Sequence, residues 1–309
     1  MMKFNLKFLH LLAFCTSGLL WGTSFLWIKI AVQDISAPCL ATLRITAAFF
    51  GLFLMWAFTR KKRKLTLNPK TILRLCFVAL INPVVPFMLI SWAQKTIHSS
   101  VAAILNATGP LFTICLAHIF LNDEKFSTEK LAGLAVGFMG TSILVSNGIP
   151  SIGAFQSGSD VPSQLIVLVA TFLYGYGSVL TRKFFRNWDP ITQTMCMMGV
   201  AALLSWIVTI FILKDPVVLP SQARTWVAIF WLGLLNTALA FGLFFWVLQA
   251  WGATKSSLVN YVYPVIGAAA GHFILGEELN FSFFAGTVLI ISGITIVNLT
   301  DLRKLLASA

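Results

Sequence analysis

The chain has 309 residues, 58% of them hydrophobic and 10% charged, whereas a soluble domain runs near 45–50% apolar and about 25% charged. That balance excludes a disordered chain, a disulfide-stapled secreted module and an ordinary soluble enzyme. The net charge of +12 does not argue for nucleic acid: the basic residues concentrate in Arg60-Lys61-Lys62-Arg63-Lys64 between two apolar runs, which is the positive-inside bias of a membrane protein.

At about 20 apolar residues per crossing, this length holds roughly ten crossings with short loops. The first predicted span, 8–31, is too long for a signal-peptide core and lacks a small-residue cleavage site, so it reads as retained. It carries Trp21 and Phe25, with Lys29 at its far end. The second, 37–58, carries Arg44, about 9 Å deep by helical rise. Asn82 lies near the middle of the third, 72–93, and Trp92 at its end. The fourth, 97–121, places Asn106 four residues before Pro110. The fifth, 128–146, is glycine-rich. A Ser/Gly/Pro-rich stretch follows and reads as a linker, 150–163, between a first unit, 1–149, and a second, 164–309. The remaining spans are 164–185 with Tyr174, 190–213, 223–249 with Asn236, 254–275 with Asn260, Tyr261, Tyr263 and Pro264, and 280–300. With the N-terminus placed inside, 17 of the 22 Lys and Arg residues fall in inside loops, so both termini are expected in the cytoplasm.

Slid along itself by 154 residues, the sequence aligns Asn82 with Asn236, Phe87 with Phe241 and Trp92 with Trp246. The same offset aligns Asn106 with Asn260, Pro110 with Pro264, His118 with His272 and Glu124 with Glu278. One residue is then lost, and Gly133 meets Gly286 and Gly140 meets Gly293. Asn, Trp, Pro, His and Glu recurring in one register make the chain a duplication. Five spans per repeat is an odd number, so the second half enters the membrane inverted, which is a transporter architecture. The expected fold is all-α integral membrane, with ten transmembrane helices as two inverted five-helix repeats.

The residues chemistry needs are sparse. A carboxamide about 15 Å deep must find partners, so Asn82 and Asn236 either bond a neighbouring helix or line a wet cavity. Pro110 and Pro264 free the carbonyls of Asn106 and Asn260, marking these four residues as hinges. Arg44 is either structural or a site for a substrate carboxylate or phosphate. Trp21, Phe25, Tyr174, Tyr261 and Tyr263 lie deep enough to line a cavity or to pack. Lys29 is expected to snorkel, and Trp92 and Trp246 to serve as interfacial aromatics. All ten acidic residues fall in loops or at span ends, leaving no carboxylate for a conventional intramembrane proton or sodium site. No Walker A pattern provides for ATP. The five cysteines show no metal or disulfide spacing, and no cofactor or metal is expected.

These features resemble the drug/metabolite transporter superfamily, and within it the EamA-type permeases with two five-helix repeats. The resemblance is carried by Trp21-Gly22-Thr23-Ser24-Phe25, by Leu43-Arg44 and by the run from Ser100 to Pro110. Leu121-Asn122-Asp123-Glu124 and the glycines from Gly133 to Gly140 extend it. The second half repeats it in Ser257 to Pro264, Leu275-Gly276-Glu277-Glu278 and Gly286 to Gly293. The Leu-Gly-Glu element is intact only in that second copy. The resemblance implies a central cavity between the halves and inner-membrane transport of a small polar metabolite, an amino acid or related compound being the first candidate. A lipid-modifying enzyme would need a catalytic cluster at one face, whereas His118 and His272 fall at opposite faces. A structural or receptor-like protein gives a polar midplane and an inverted duplication no purpose.

Overall fold

A computed structural model of the chain describes residues 6–58, 68–97, 99–146, 161–266 and 281–297. Every regular element in them is helical. In chain order these are α1 (Leu6–Ala31), α2 (Ala37–Phe58), α3 (Pro69–Ala93), a divided α4 (Ser99–Asn106 and Gly109–Phe120), α5 (Thr128–Ser146) and α6 (Val161–Phe185). They continue with α7 (Pro190–Ile212) and α8 (Ala223–Trp251). Next comes α9, which begins as Ala253–Ser257, tightens over Leu258–Tyr261 and is described to residue 266. The last is α10 (Phe281–Val297). Each predicted span meets a helix. The 150–163 linker is described only from residue 161, and Arg60 to Lys64, His272 and Glu278 lie outside the described residues.

Six of these helices are long and apolar enough to cross a membrane. Their outward faces carry large apolar side chains such as Leu19 at 51%, Leu203 at 69% and Phe211 at 72% exposure. In water such a surface would drive association; in a bilayer lipid tails cover it. Two helix starts are fixed by local chemistry. The Asn68 side chain accepts from the backbone N–H of Thr71 at 2.8 Å, and Asp189 accepts from that of Thr192 at 2.9 Å. Each is followed by a proline, whose missing N–H costs nothing in a first turn.

The two-fold relation of the halves is visible in the contacts. A Cβ on Gly133 would lie 2.7 Å from the Gly293 carbonyl, and one on Gly140 would lie 2.8 Å from the Gly286 carbonyl. Exchanging Gly133 with Gly286 and Gly140 with Gly293, as the repeat does, maps one contact onto the other. This reciprocity belongs to a self-complementary interface about a two-fold axis, and it sets α5 and α10 antiparallel. Glycine is needed at both crossings because the backbones meet with no room for a side chain.

Helix irregularities also recur in pairs. The α3 helix widens over Leu80–Val84, where Asn82 leaves helical geometry (φ −161°, ψ 101°) ahead of Pro83. The α8 helix widens over Trp231–Leu239, around the repeat mate Asn236. Irregular backbone at membrane depth is tolerated only where protein buries it or a cavity receives it, so these turns point to the centre of the molecule.

Candidate functional site

Between the two halves lies a cavity with about 730 Å³ of space not filled by protein atoms, part of it open to solvent. Of the residues expected there from sequence, Trp21, Phe25, Arg44, Asn82, Tyr174 and Tyr263 line it. The hinge residues Asn106 and Asn260 line it too.

Arg44 on α2 is 4% exposed. Its Nε donates to Thr237 Oγ1 at 2.8 Å, and its guanidinium lies 3.8 Å from the centre of the Phe87 ring. Thr237 is available because it sits in the widened turn of α8, where its hydroxyl also donates to the Leu232 carbonyl at 2.7 Å. Among the described residues the two terminal nitrogens of Arg44 have no acceptor. Asn82 is 2% exposed, and its Oδ1 has no hydrogen-bond partner among the described residues. Its side chain presses on Gly177 of α6, where a Cβ would collide with it. Tyr174, on the same helix, meets the Phe87 ring edge-on at 6.2 Å.

Aromatic rings form one side of the cavity. Trp21 packs on Phe241 at 5.1 Å and Phe244 at 5.0 Å, while its ring N–H is held by the Asn236 carbonyl at 2.7 Å. Tyr263 meets Trp21 edge-on at 6.3 Å and Phe25 at 6.0 Å.

The carbonyl that Pro110 frees on Asn106 accepts from Asn260 Nδ2 at 3.4 Å, so each asparagine's repeat mate is its neighbour across the two-fold axis. Gly109 admits the Asn260 amide, which any side chain there would strike. Thr171 donates to Asn106 Oδ1 at 3.2 Å.

Asn236 and Tyr261 are placed elsewhere. Asn236 Nδ2 donates to Ser24 Oγ at 2.7 Å and Thr23 Oγ1 at 3.3 Å, tying α8 to α1. Tyr261 donates to the Leu134 carbonyl at 2.9 Å and lies against Gly137 of α5. The tightened turn of α9 separates the directions of Tyr261 and Tyr263. Lys29 Nζ donates to the carbonyls of Gln94 at 2.7 Å and Ile97 at 3.0 Å, serving the end of α3. Trp92 is 48% exposed, whereas Trp246 lies against the His10 ring at 4.5 Å, tilted by 54°. His118 lies on the Phe126 ring at 4.1 Å and accepts from its backbone N–H.

Phe87, Phe241, Phe244, Ser178, Thr113 and Ser257 line the cavity as well. The Phe87–Phe241 pair recurs at the repeat offset, a signal that could have found two of them. Serine and threonine at membrane depth carried no such mark.

A second cluster joins the halves at the far end of α4. Glu124 is 7% exposed and accepts from the backbone N–H groups of Ala253 at 2.7 Å and Thr254 at 2.8 Å. Gly252 turns the chain there with φ +90°. Arg182 Nε lies 2.9 Å from Glu124 and Nη2 3.0 Å from Asp123. Nη1 donates to the carbonyls of Leu248 at 2.9 Å and Gln249 at 3.2 Å. Burial raises the Asp123 carboxyl, but the charges of Arg182 and Arg186 more than offset that and hold it below the usual carboxylate range. The repeat relates Gln94 to Leu248, and Lys29 to Arg182 with one residue lost, so each cation serves the carbonyl end of an equivalent helix.

Comparison with known proteins agrees with this architecture. The model of the EamA-like transporter family matches twice, over residues 8–146 and 162–299. The uncharacterized transporter YoaV of Bacillus subtilis is 28% identical over 291 residues, covering 93% of this chain and 95% of its own. A Salmonella typhimurium protein named "Probable amino-acid metabolite efflux pump" is 24% identical, covering 89% and 90%. The uncharacterized inner membrane transporter YedA of Escherichia coli is 24% identical, covering 85% and 81%. A solved crystal structure superposes with a TM-score of 0.72 at 19% identity, over 94% of this chain and 97% of that one.

Proposed function

This chain belongs to the EamA-like transporter family, and from that premise we propose that it is a secondary transporter moving a small polar metabolite across the cytoplasmic membrane by alternating access. The protein is a transporter and not an enzyme. The carrying observation is the cavity between the halves, lined by a buried arginine whose terminal nitrogens have no acceptor among the described residues. Amino acids and related carboxylates are the first candidates, because a guanidinium offers two parallel donors to a carboxylate.

In this reading, residues 1–149 and 164–309 are the two moving halves, joined by the 150–163 linker, with both termini in the cytoplasm as the Lys and Arg distribution favours. Two halves of one design in opposite orientation exchange an outward-open cavity for an inward-open one when they exchange conformations. The contact between Asn106 and Asn260, near Pro110 and Pro264, is the pivot: it lies on the axis, where rocking displaces atoms least. The test is uptake of labelled amino acids and hydroxy acids by proteoliposomes. Flux above that of protein-free liposomes, lost in Arg44→Gln, is expected. Flux that Arg44→Gln leaves unchanged would remove Arg44 from the transport site.

A further inference from the structure

We infer that the transported substrate carries a net charge of minus one: a carboxylate for Arg44, a neutral hydrogen-bond donor for Asn82, an apolar body and no ammonium group. This rests on the reading of the central cavity as the transport site.

The first argument is a charge count. Among the described residues Arg44 is the one cation in the cavity wall, and no Asp, Glu, His or Lys accompanies it there. A guanidinium stays charged in a protein, so the empty cavity holds one uncompensated positive charge beside Trp21, Phe25 and Phe241. A monocarboxylate brings the filled site to neutrality. A zwitterion leaves the positive charge standing, and a dicarboxylate replaces it with a negative one. Phosphate monoesters, mostly dianionic near neutral pH, fail in the same way. A buried charge without a partner is strongly unfavourable, so the occluded state selects the cargo that cancels Arg44.

The second argument counts donors. Among the described residues Asn82 Oδ1 is a buried acceptor without a partner, on a residue that lines the same cavity as Arg44. A substrate hydroxyl has one hydrogen to give and satisfies one acceptor. An ammonium has three, and brings its own positive charge next to the guanidinium. Both counts favour a hydroxy acid over the amino acid of the same skeleton. The aromatic side of the cavity takes an apolar body, for which a benzyl group is a fitting probe.

Phenyllactate, phenylalanine, phenethylamine, phenyllactamide and phenylsuccinate differ in charge around a shared aromatic body. Each is titrated against the purified full-length protein in detergent, following the thermal unfolding midpoint. Phenyllactate should raise the midpoint at the lowest concentration, and the amide, the amine and the dianion at concentrations at least about tenfold higher. Arg44→Gln should weaken phenyllactate by roughly 30-fold or more, whereas Arg44→Lys, which keeps the charge, should retain the ranking. Asn82→Asp supplies the missing negative charge and should move the preference from phenyllactate to phenylalanine. If phenylalanine or the amide matches phenyllactate, if no carboxylate stabilises the protein, or if Asn82→Asp leaves the ranking unchanged, the charge rule is overturned. The carrier reading fails separately, if proteoliposomes do not exchange the very compound that stabilises the protein.

Discussion

Arg44 and Arg182 are both deeply buried, at 4% and 8% exposure, yet their surroundings are opposite. Arg182 meets two carboxylates and two helix-end carbonyls. Arg44 has one hydroxyl and one aromatic face. A buried cation whose charge is balanced by carboxylates has little left to offer a ligand and acts as structure. An unsaturated one persists only if something else completes it for part of its working cycle. The two arginines thus divide the molecule into a place that holds the halves together and a place that waits for cargo.

The largest effect that can break this contrast is on stability. Arg182→Met would leave Glu124 buried with only backbone donors, and should lower unfolding free energy by about 3–5 kcal/mol. The double variant with Glu124→Gln should recover part of that. Arg44→Met strands no carboxylate and gives up one hydroxyl contact and one aromatic face, so its cost should stay at about 1–2 kcal/mol. Chemical unfolding in detergent checks both, and an equal loss in the two would make Arg44 structural.

A smaller effect sharpens the same contrast between two repeat mates. Asn236 makes two side-chain bonds to α1, so Asn236→Ala should cost about 0.6–2 kcal/mol. Both asparagines leave Oδ1 open among the described residues, but Asn82 has no such side-chain bonds to another described helix to lose, so Asn82→Ala should be nearer neutral for stability while reducing transport per folded molecule. The reverse order would assign Asn236 to the cargo and Asn82 to the scaffold.

What could be seen in the sequence follows from which physics is local. Span length and apolarity answer to the bilayer alone, so ten spans were legible, and the offset from Asn82 to Asn236 declared the duplication. The freed carbonyl of Asn106 was legible from Pro110, but that Asn260 would accept its offer depended on folding the axis. Tyr261 and Tyr263, two residues apart, could not be told apart because the answer lies in a tightened turn of α9 and in Gly137. Arg44 remained open between structure and recognition, since its hydroxyl partner Thr237 lies 193 residues away. That Lys29 would serve the end of α3 was not legible, because the carbonyls belong to another helix.

Transport by alternating access requires this cavity to face the two sides of the membrane in turn. Ser178 lines it, and a Ser178→Cys variant lacking the native cysteines reports its exposure. In proteoliposomes of single orientation, an impermeant thiol reagent should label that cysteine from outside and, in a second sample, from the lumen. Phenyllactate should slow labelling from both sides. Labelling from one side only, unchanged by any cargo, would show a cavity that never alternates and would contradict the account.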